Sequence, residues 1–380
     1  MTTTTRSTDN GDDAPVAASS EHASTGDKRK IDSGSSPAPK ARKIDDQKEQ
    51  KTLEESFQGS DKDDKKDNAT ADNGEQQARH DDDSHTAKTN NGDSAVESGA
   101  RKGETPSNIL EKGIIYFFFR GRVGIDEPQA VDDVARSYII LRPVDRDAKL
   151  GEGAIGDAGN SRLCAIPKKV LPQSGRDRWI AFVEKTGASF ETLKDEFLAS
   201  NDYVTKTAGT RHTPAATPIG EGVYAITSTG RENHLVYFLT LPQELGEVQT
   251  EIGLKEKGSF IMSTRNPQYP APKNAQLPQG PEYSKEILDE FRSLRWMATV
   301  PKHLDVVQTQ FLLIGESSGI DKAVQPDKKD GDKEDPIEEM EKLEDEDTKR
   351  MEHLGKDDSD AIFADLEVQA KDYPKLQTTF

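Results

Sequence analysis

A single cysteine in 380 residues, Cys164, excludes an internal disulfide and any cysteine-built zinc site, and it fits a reducing compartment. Flanked by Leu163 and Ala165, it reads as a small buried hydrophobe. Apolar residues are scarce: 32% of the chain is hydrophobic and 6% aromatic, against 32% charged. No run approaches the roughly 18 apolar residues of a membrane span. The opening MTTTTRSTDNGDD has no stretch that would serve as a secretory signal, so the expectation is an intracellular protein without a membrane partner. A basic surplus is lacking too. The formal net charge is -19, which opposes a chain-wide grip on nucleic acid phosphates.

Charge and apolar content divide the chain into three parts. Residues 1–105 carry 16 basic against 23 acidic side chains, residues 106–320 carry 25 against 27, and residues 321–380 carry 10 against 20. The first part has one aromatic residue, Phe57, and too little apolar surface to offset the entropy of ordering, so 1–105 reads as a disordered arm. Residues 319–380 read as an acidic, mostly disordered tail, with like charges crowded in DKKDGDKEDPIEEMEKLEDEDTKR. Within it Ile362, Phe363, Leu366 and Val368 form an apolar island over 362–368, suited to a partner's groove or to a return onto its own domain. Nearly all aromatic residues fall in 106–318, which is read as one folded domain able to bury about 70% of its extended surface.

The arm holds an address. Lys28, Arg29 and Lys30 precede a Ser/Pro spacer that Lys40, Arg42 and Lys43 follow, the arrangement of a bipartite nuclear localisation signal read by a nuclear import receptor. Acidic clusters at Asp61–Asp64 and Asp81–Asp83 oppose a role for the arm as a grip on phosphates.

Within the domain, eight runs read as strands: 113–125, 137–144, 162–167, 178–185, 222–228, 234–242, 258–267 and 309–316. Three helices are expected at FETLKDEFLA behind Ser189, at QELGEVQTEIG, and at EYSKEILDEFRSLRWM. Strands outnumber helices and do not alternate with them. An α+β domain follows, mostly antiparallel, with about eight strands and three helices flanked by disordered tails. An echo between GIIYFFF…SYIILRPV and GVYAITS…HLVYFLTLP suggests two similar subdomains.

The segments IYFFFRGRV, VDDVARSYIILRP, GEGVYAITSTGRENHLVYFLTLPQELGEVQ, SFIMSTRNP and EYSKEILDEFRSLRW resemble an uncharacterised family of fungi and bacteria, over about residues 110–316. Its fungal members often carry the name "BTB domain transcription factor", and its bacterial members look like the bare domain. The resemblance implies a fold unit, and supplies no activity, cofactor or catalytic residue.

Several motifs tempt a chemical reading. Gly151, Gly153 and Gly156 match G-x-G-x-x-G, but polar sequence precedes them and no helix follows, so a loop is expected. Ser317 in GESSG follows a strand without the helix a nucleophile elbow needs. The histidines of the domain, His212, His234 and His303, are isolated in sequence, and no metal set emerges. Thr205 to Ile226 reads as a conformationally specified loop: either an ordered Ω-like loop with Glu221 paired to Arg211, or a contact point at which Lys206, Arg211 and His212 meet an anion or a peptide backbone. Lys168, Lys169, Arg176 and Arg178 with Trp179 interleave basic and aromatic residues in the way nucleic-acid binders do.

These readings add up to a nuclear, non-catalytic binding or regulatory protein, transcription- or chromatin-associated, that engages nuclear protein partners without cofactor or metal. Direct nucleic acid contact ranks second among its partners. The alternative is an enzyme or small-ligand-binding domain with its site on the 205–226 loop.

Overall fold

The computed structural model describes residues 95–205, 209–272, 276–327 and 333–354. In chain order the elements are β1 (Val96–Glu97), β2 (Ile109–Gly121), β3 (Val134–Val144), β4 (Lys149–Leu150), β5 (Ser161–Ile166) and β6 (Arg178–Ala188). Helix α1 (Phe190–Leu193) runs on as a π turn over Lys194–Leu198. Then come β7 (Asn201–Thr205), β8 (Gly209–Thr213), β9 (Ala216–Ser228), β10 (Asn233–Leu241), α2 (Glu247–Ile252) and β11 (Lys257–Arg265). The last are α3 (Lys285–Glu290), β12 (Trp296–Ala298), β13 (Gln310–Gly315) and α4 (Pro336–Leu354).

The eight expected strands are β2, β3, β5, β6, β9, β10, β11 and β13, and they close into one antiparallel barrel. β2-β3-β5-β6 is one meander and β9-β10-β11-β13 a second. β2 pairs with β9, and β6 with β13, to close the ring. Closure removes the sheet edges that an open antiparallel sheet would leave to be covered.

The two meanders meet in antiparallel register at both seams. Ile114 faces Val223 between Gly113↔Tyr224 and Ile115↔Gly222. On the opposite wall Leu312 faces Ile180 between Phe311↔Ala181 and Leu313↔Trp179. Neither meander builds a core of its own, because the barrel interior draws on both.

Strand alternation sorts the apolar residues into two layers. Ile115, Phe117, Phe119, Ile139, Leu141, Tyr224, Leu235, Tyr237, Phe260 and Phe311 fill the interior. Each such side chain contributes about 1.5–3 kcal/mol by leaving water. Their neighbours Ile114, Tyr116, Phe118, Tyr138, Ile140, Val223, Val236 and Phe238 face outward, under α1 and α4. This double coverage is why β2 reads apolar on both faces.

The two ends of the barrel differ. Val248 and Ile252 of α2, with Leu171, Leu245 and Leu254, seal one end with apolar side chains. The other end is crossed by the β11–β13 connection, from which Leu304 enters the core, and it carries the polar residues described below.

The helices form where expected but are shorter. Ser189 Oγ accepts from Thr192 N–H to cap α1, and Ser284 Oγ accepts from Ile287 N–H to cap α3. α3 stops at Glu290 because Trp296 and Met297, read as part of that helix, pair instead with β11 as β12.

Two boundaries differ from the sequence reading. The packed chain includes Ala95, Arg101 and Thr105, all buried, ahead of residue 106. The region read as a mostly disordered tail contains α4, whose Met340, Leu343 and Met351 pack on the outer layer. Its apolar side chains pack on the barrel, and its buried charges meet partners far away in sequence.

Candidate functional site

Thr205 to Ile226 is not one loop. β7 and β8 form a two-stranded hairpin, followed by the barrel strand β9. Tyr203 faces Arg211 across the hairpin, and Asp202 faces His212. Tyr203 and Val204 point to opposite faces of the ribbon, yet both are exposed, at 41% and 81%. A hairpin lying flat on the barrel would bury one face, so its outer residues stand clear of the barrel while its base is held to the β2–β3 connection. Among the described residues no strand pairs with the outer edge of β7.

His212 clasps the hairpin's base. Its Nδ1 lies 2.5 Å from Asp202 Oδ1 and its Nε2 lies 2.9 Å from Asp126 Oδ1, on the β2–β3 connection. Gly124 N–H donates to the His212 carbonyl at 2.9 Å. A carboxylate at each nitrogen favours the protonated ring, in which both nitrogens donate. The hydrogen bond to Asp202, aided by Asp126, raises its pKa above the ordinary imidazole value.

The rest of the expected binding loop is dispersed. Lys206 lies outside the described residues. Glu221 is buried on β9 and meets Arg350 of α4 at 3.4 Å, in place of the Arg211 pairing that sequence proximity suggested. Strand geometry is the reason: Arg211 stands on the free hairpin, while Glu221 points outward from the barrel wall beneath α4.

The basic patch is split in a similar way. Lys169 Nζ donates to Asp132 Oδ1 at 2.6 Å, which lowers the Asp132 pKa. Arg178 Nε donates to the Gly175 carbonyl at 3.2 Å, inside a turn held by Asp177. Trp179 is the next residue of β6 and turns the other way, packing half-buried against the barrel core. Lys168 and Arg176 are exposed. The aromatic and basic members therefore do not share a face. Lys28, Arg29, Lys30, Lys40, Arg42 and Lys43 lie outside the described residues, as does the island at 362–368.

Residues that the sequence gave no reason to combine meet at the polar end of the barrel. Glu111 Oε1 accepts from Arg162 NH1 at 2.6 Å and from the Tyr224 hydroxyl at 2.8 Å. Arg162 Nε donates to Asp305 Oδ1 at 2.8 Å. Burial alone would lower the Arg162 pKa, but Glu111, Tyr224 and Asp305 outweigh it and hold it above its ordinary value. Burial, then Glu111, pushes the Tyr224 phenol well up, so it stays a donor. Arg162 is gripped by a carboxylate on each side, a closed set that fixes the barrel mouth.

Groups with catalytic appearance are also engaged. His234 Nδ1 lies 2.8 Å from Glu316 Oε2, but Ser259 Oγ turns to that same carboxylate at 2.6 Å. A nucleophile triad needs the hydroxyl on the imidazole, so this order is structural. Burial would raise the Glu316 pKa, and the hydrogen bonds from His234 and Ser259 bring it below its usual value. Ser317 is exposed in a turn. Cys164 points into the barrel, where burial pushes its thiol up to about 12. Arg142 donates to the Ile155 and Gly156 carbonyls, fixing Gly151–Gly156 as a loop whose carbonyls are engaged. Among the described residues no group of three His, Cys, Asp or Glu is placed to hold a metal ion.

Sequence reasoning missed Tyr203 and Val204, two neighbouring exposed large hydrophobic residues on one strand. The signal was present in the alternation of NDYVT, a strand's period too short to stand out beside the Thr/Gly/Pro-rich residues that follow. Compared with known proteins, the chain matches no family model, no curated protein and no solved structure.

Proposed function

We propose that this is a nuclear, non-catalytic binding protein, transcription- or chromatin-associated, which presents the β7–β8 hairpin to a protein partner from a rigid barrel. The observation that carries this reading is the exposure of Tyr203 and Val204 on both faces of a hairpin held to its domain only at the base. An eight-stranded barrel is just wide enough for side chains to fill. Here the interior is packed with aromatic residues, which favours function on the outer surface. A free β-edge flanked by an aromatic and an aliphatic side chain suits strand addition, in which backbone hydrogen bonds supply affinity and side-chain contacts supply choice.

The address in this reading is the basic pair Lys28–Lys30 and Lys40–Lys43, handed to a nuclear import receptor. The matching strand order of the two meanders further supports a barrel made of two similar halves, each a four-strand meander followed by a helix on its outer face. The small-ligand alternative loses support because Arg211, His212 and Glu221 do not converge.

Two measurements test the reading in the full chain. Replacing Lys40, Arg42 and Lys43 by alanine should abolish nuclear accumulation of a fluorescent fusion, and unchanged localisation would refute the address. Affinity purification from nuclear extract should recover proteins that survive nuclease treatment and are lost with Tyr203→Ser/Val204→Ser. Recovery that the double substitution leaves intact, or that nuclease abolishes, would refute hairpin-mediated protein binding.

A further inference from the structure

α1 and α4 hold equivalent places and are held there by different chemistry. α1 follows β6 directly and packs on β2 and β3 through Phe190, Leu193, Phe197 and Leu198. α4 follows β13 only after residues 316–335, and it crosses β9 and β10 beside β4. Its inward side combines Met340, Leu343 and Met351 with the buried charges Glu339, Asp347 and Arg350.

The barrel face beneath is built to receive those charges. Glu339 Oε1 accepts from Lys112 Nζ at 2.6 Å and from Arg101 NH1 at 2.8 Å. Arg101 also reaches Glu346, which accepts Leu150 N–H at 3.1 Å. Thr240 Oγ1 donates to Asp347 Oδ2 at 2.8 Å. Arg350 bridges Asp347 at 2.6 Å and Glu221 at 3.4 Å, and Lys257 meets Glu344 at 2.9 Å.

This face reads a pattern. Going along the helix it takes an acid at Glu339, apolar residues at Met340 and Leu343, acids at Glu346 and Asp347, then a base at Arg350 and an apolar residue at Met351. Buried ion pairs repay their desolvation only in good geometry, so such a contact selects sequence more than it adds affinity. Burial lowers the Lys112 pKa, and Glu339 partly restores it. Once the helix leaves, water reaches these groups and their desolvation cost is returned.

We infer that the face formed by β2, β9, β10 and β4 with Arg101 is a helix-recognition groove. α4 is its tethered occupant, and a partner protein's acidic amphipathic helix with the same order of acids, apolar residues and terminal base takes its place. Charge complementarity argues for that occupant: Lys112 and Arg101 demand an acid on the first turn, Arg101 a second acid in the third, and Glu221 a base one turn beyond that. The tether holds α4 at an effective concentration in the millimolar range, so a free helix competes only when α4 is weakened or the rival is strong.

The test uses the full chain and a fluorescein-labelled peptide with the sequence of residues 333–354. Glu339→Lys/Glu346→Lys in the chain weakens its own α4 against Lys112 and Arg101. The peptide should then bind with a Kd at least about tenfold below that for the unaltered chain. A peptide carrying the same two reversals should not bind, and adding Arg101→Glu to the chain should abolish binding. Thermal unfolding keeps the result decisive, because the variant barrel should retain one cooperative transition. No preference for the variant, or loss of that transition, would overturn the inference. Dimerisation of the unaltered chain that excess peptide does not dissolve would make a second copy the occupant and overturn assignment to a partner.

Discussion

Gly113 of β2 and Gly222 of β9 make the same contact in the two meanders. A Cβ on Gly113 would lie 2.1 Å from the Arg142 carbonyl oxygen, and one on Gly222 would lie 2.1 Å from the Phe238 carbonyl oxygen. Both are strand residues packed against the backbone of the next strand, where only a residue without a side chain fits.

Alanine at either place should therefore be costly, and costly to the same degree. Gly113→Ala and Gly222→Ala must each push a β-strand backbone aside, an overpacking penalty of about 1–3 kcal/mol or more. Denaturant midpoints for the two variants should fall together. A near-neutral effect at one site and a large effect at the other would show that the halves are not equivalent there.

How much of this was legible in the sequence varies with the physics. All eight barrel strands were readable, because β-branched and aromatic runs bounded by Gly and Pro carry their own signal. The closed ring was not, since the β2–β9 and β6–β13 pairings join residues roughly 110 and 130 apart. α4 escaped because Glu339, Asp347 and Arg350 read as solvated charge until Lys112, Arg101 and Glu221 are brought against them. Trp179 looked like a stacking residue beside Arg178, but strand alternation places the two on opposite faces. At the candidate site, His212 and Arg211 were visible as residue types, while the exposure of Val204 depends on the hairpin leaving the barrel.

His303 gives the fold an acid-sensitive point. Its ring stacks on Phe291 and its Nδ1 lies 3.0 Å from Thr264 Oγ1. Burial, with a smaller push from Lys302 and opposed by Glu290, lowers its pKa to about 4. Below about pH 6.5 the unfolded chain takes up a proton that the folded chain refuses, so stability falls as pH drops toward 4. At about 1.4 kcal/mol per pH unit the loss approaches 3 kcal/mol. His303→Asn should flatten the stability profile between pH 4 and 6.5, as followed by urea unfolding; an unchanged profile would place the acid sensitivity elsewhere.

The His212 clasp should respond in the opposite direction. Its pKa is raised, so its contribution is complete below the usual imidazole value and is lost as pH rises through the folded-state value. Asp202 and Asp126 are the charges that face it. Amide exchange in β7 and β8 should quicken on alkalinisation while the barrel strands stay protected. Asp126→Asn should move that onset to lower pH; equal protection of the hairpin on both sides of the transition would show that the clasp does not hold it.

At the polar end, Arg162, Glu111 and Tyr224 should behave as one closed unit. Arg162→Met alone leaves a buried carboxylate without its cation, a loss of about 3–5 kcal/mol. Adding Glu111→Leu removes that charge but strands the Tyr224 hydroxyl, a donor whose unmet hydrogen bond costs about 1–3 kcal/mol. Only the triple change, with Tyr224→Phe, removes every unmet group, and it should recover most of the stability lost in the single variant. Recovery by the triple variant, read from unfolding midpoints, together with unaltered hairpin exchange, would assign the trio to holding the barrel mouth. A triple variant as unstable as Arg162→Met would mean instead that the charges organise the mouth through contacts that apolar side chains of similar size cannot replace.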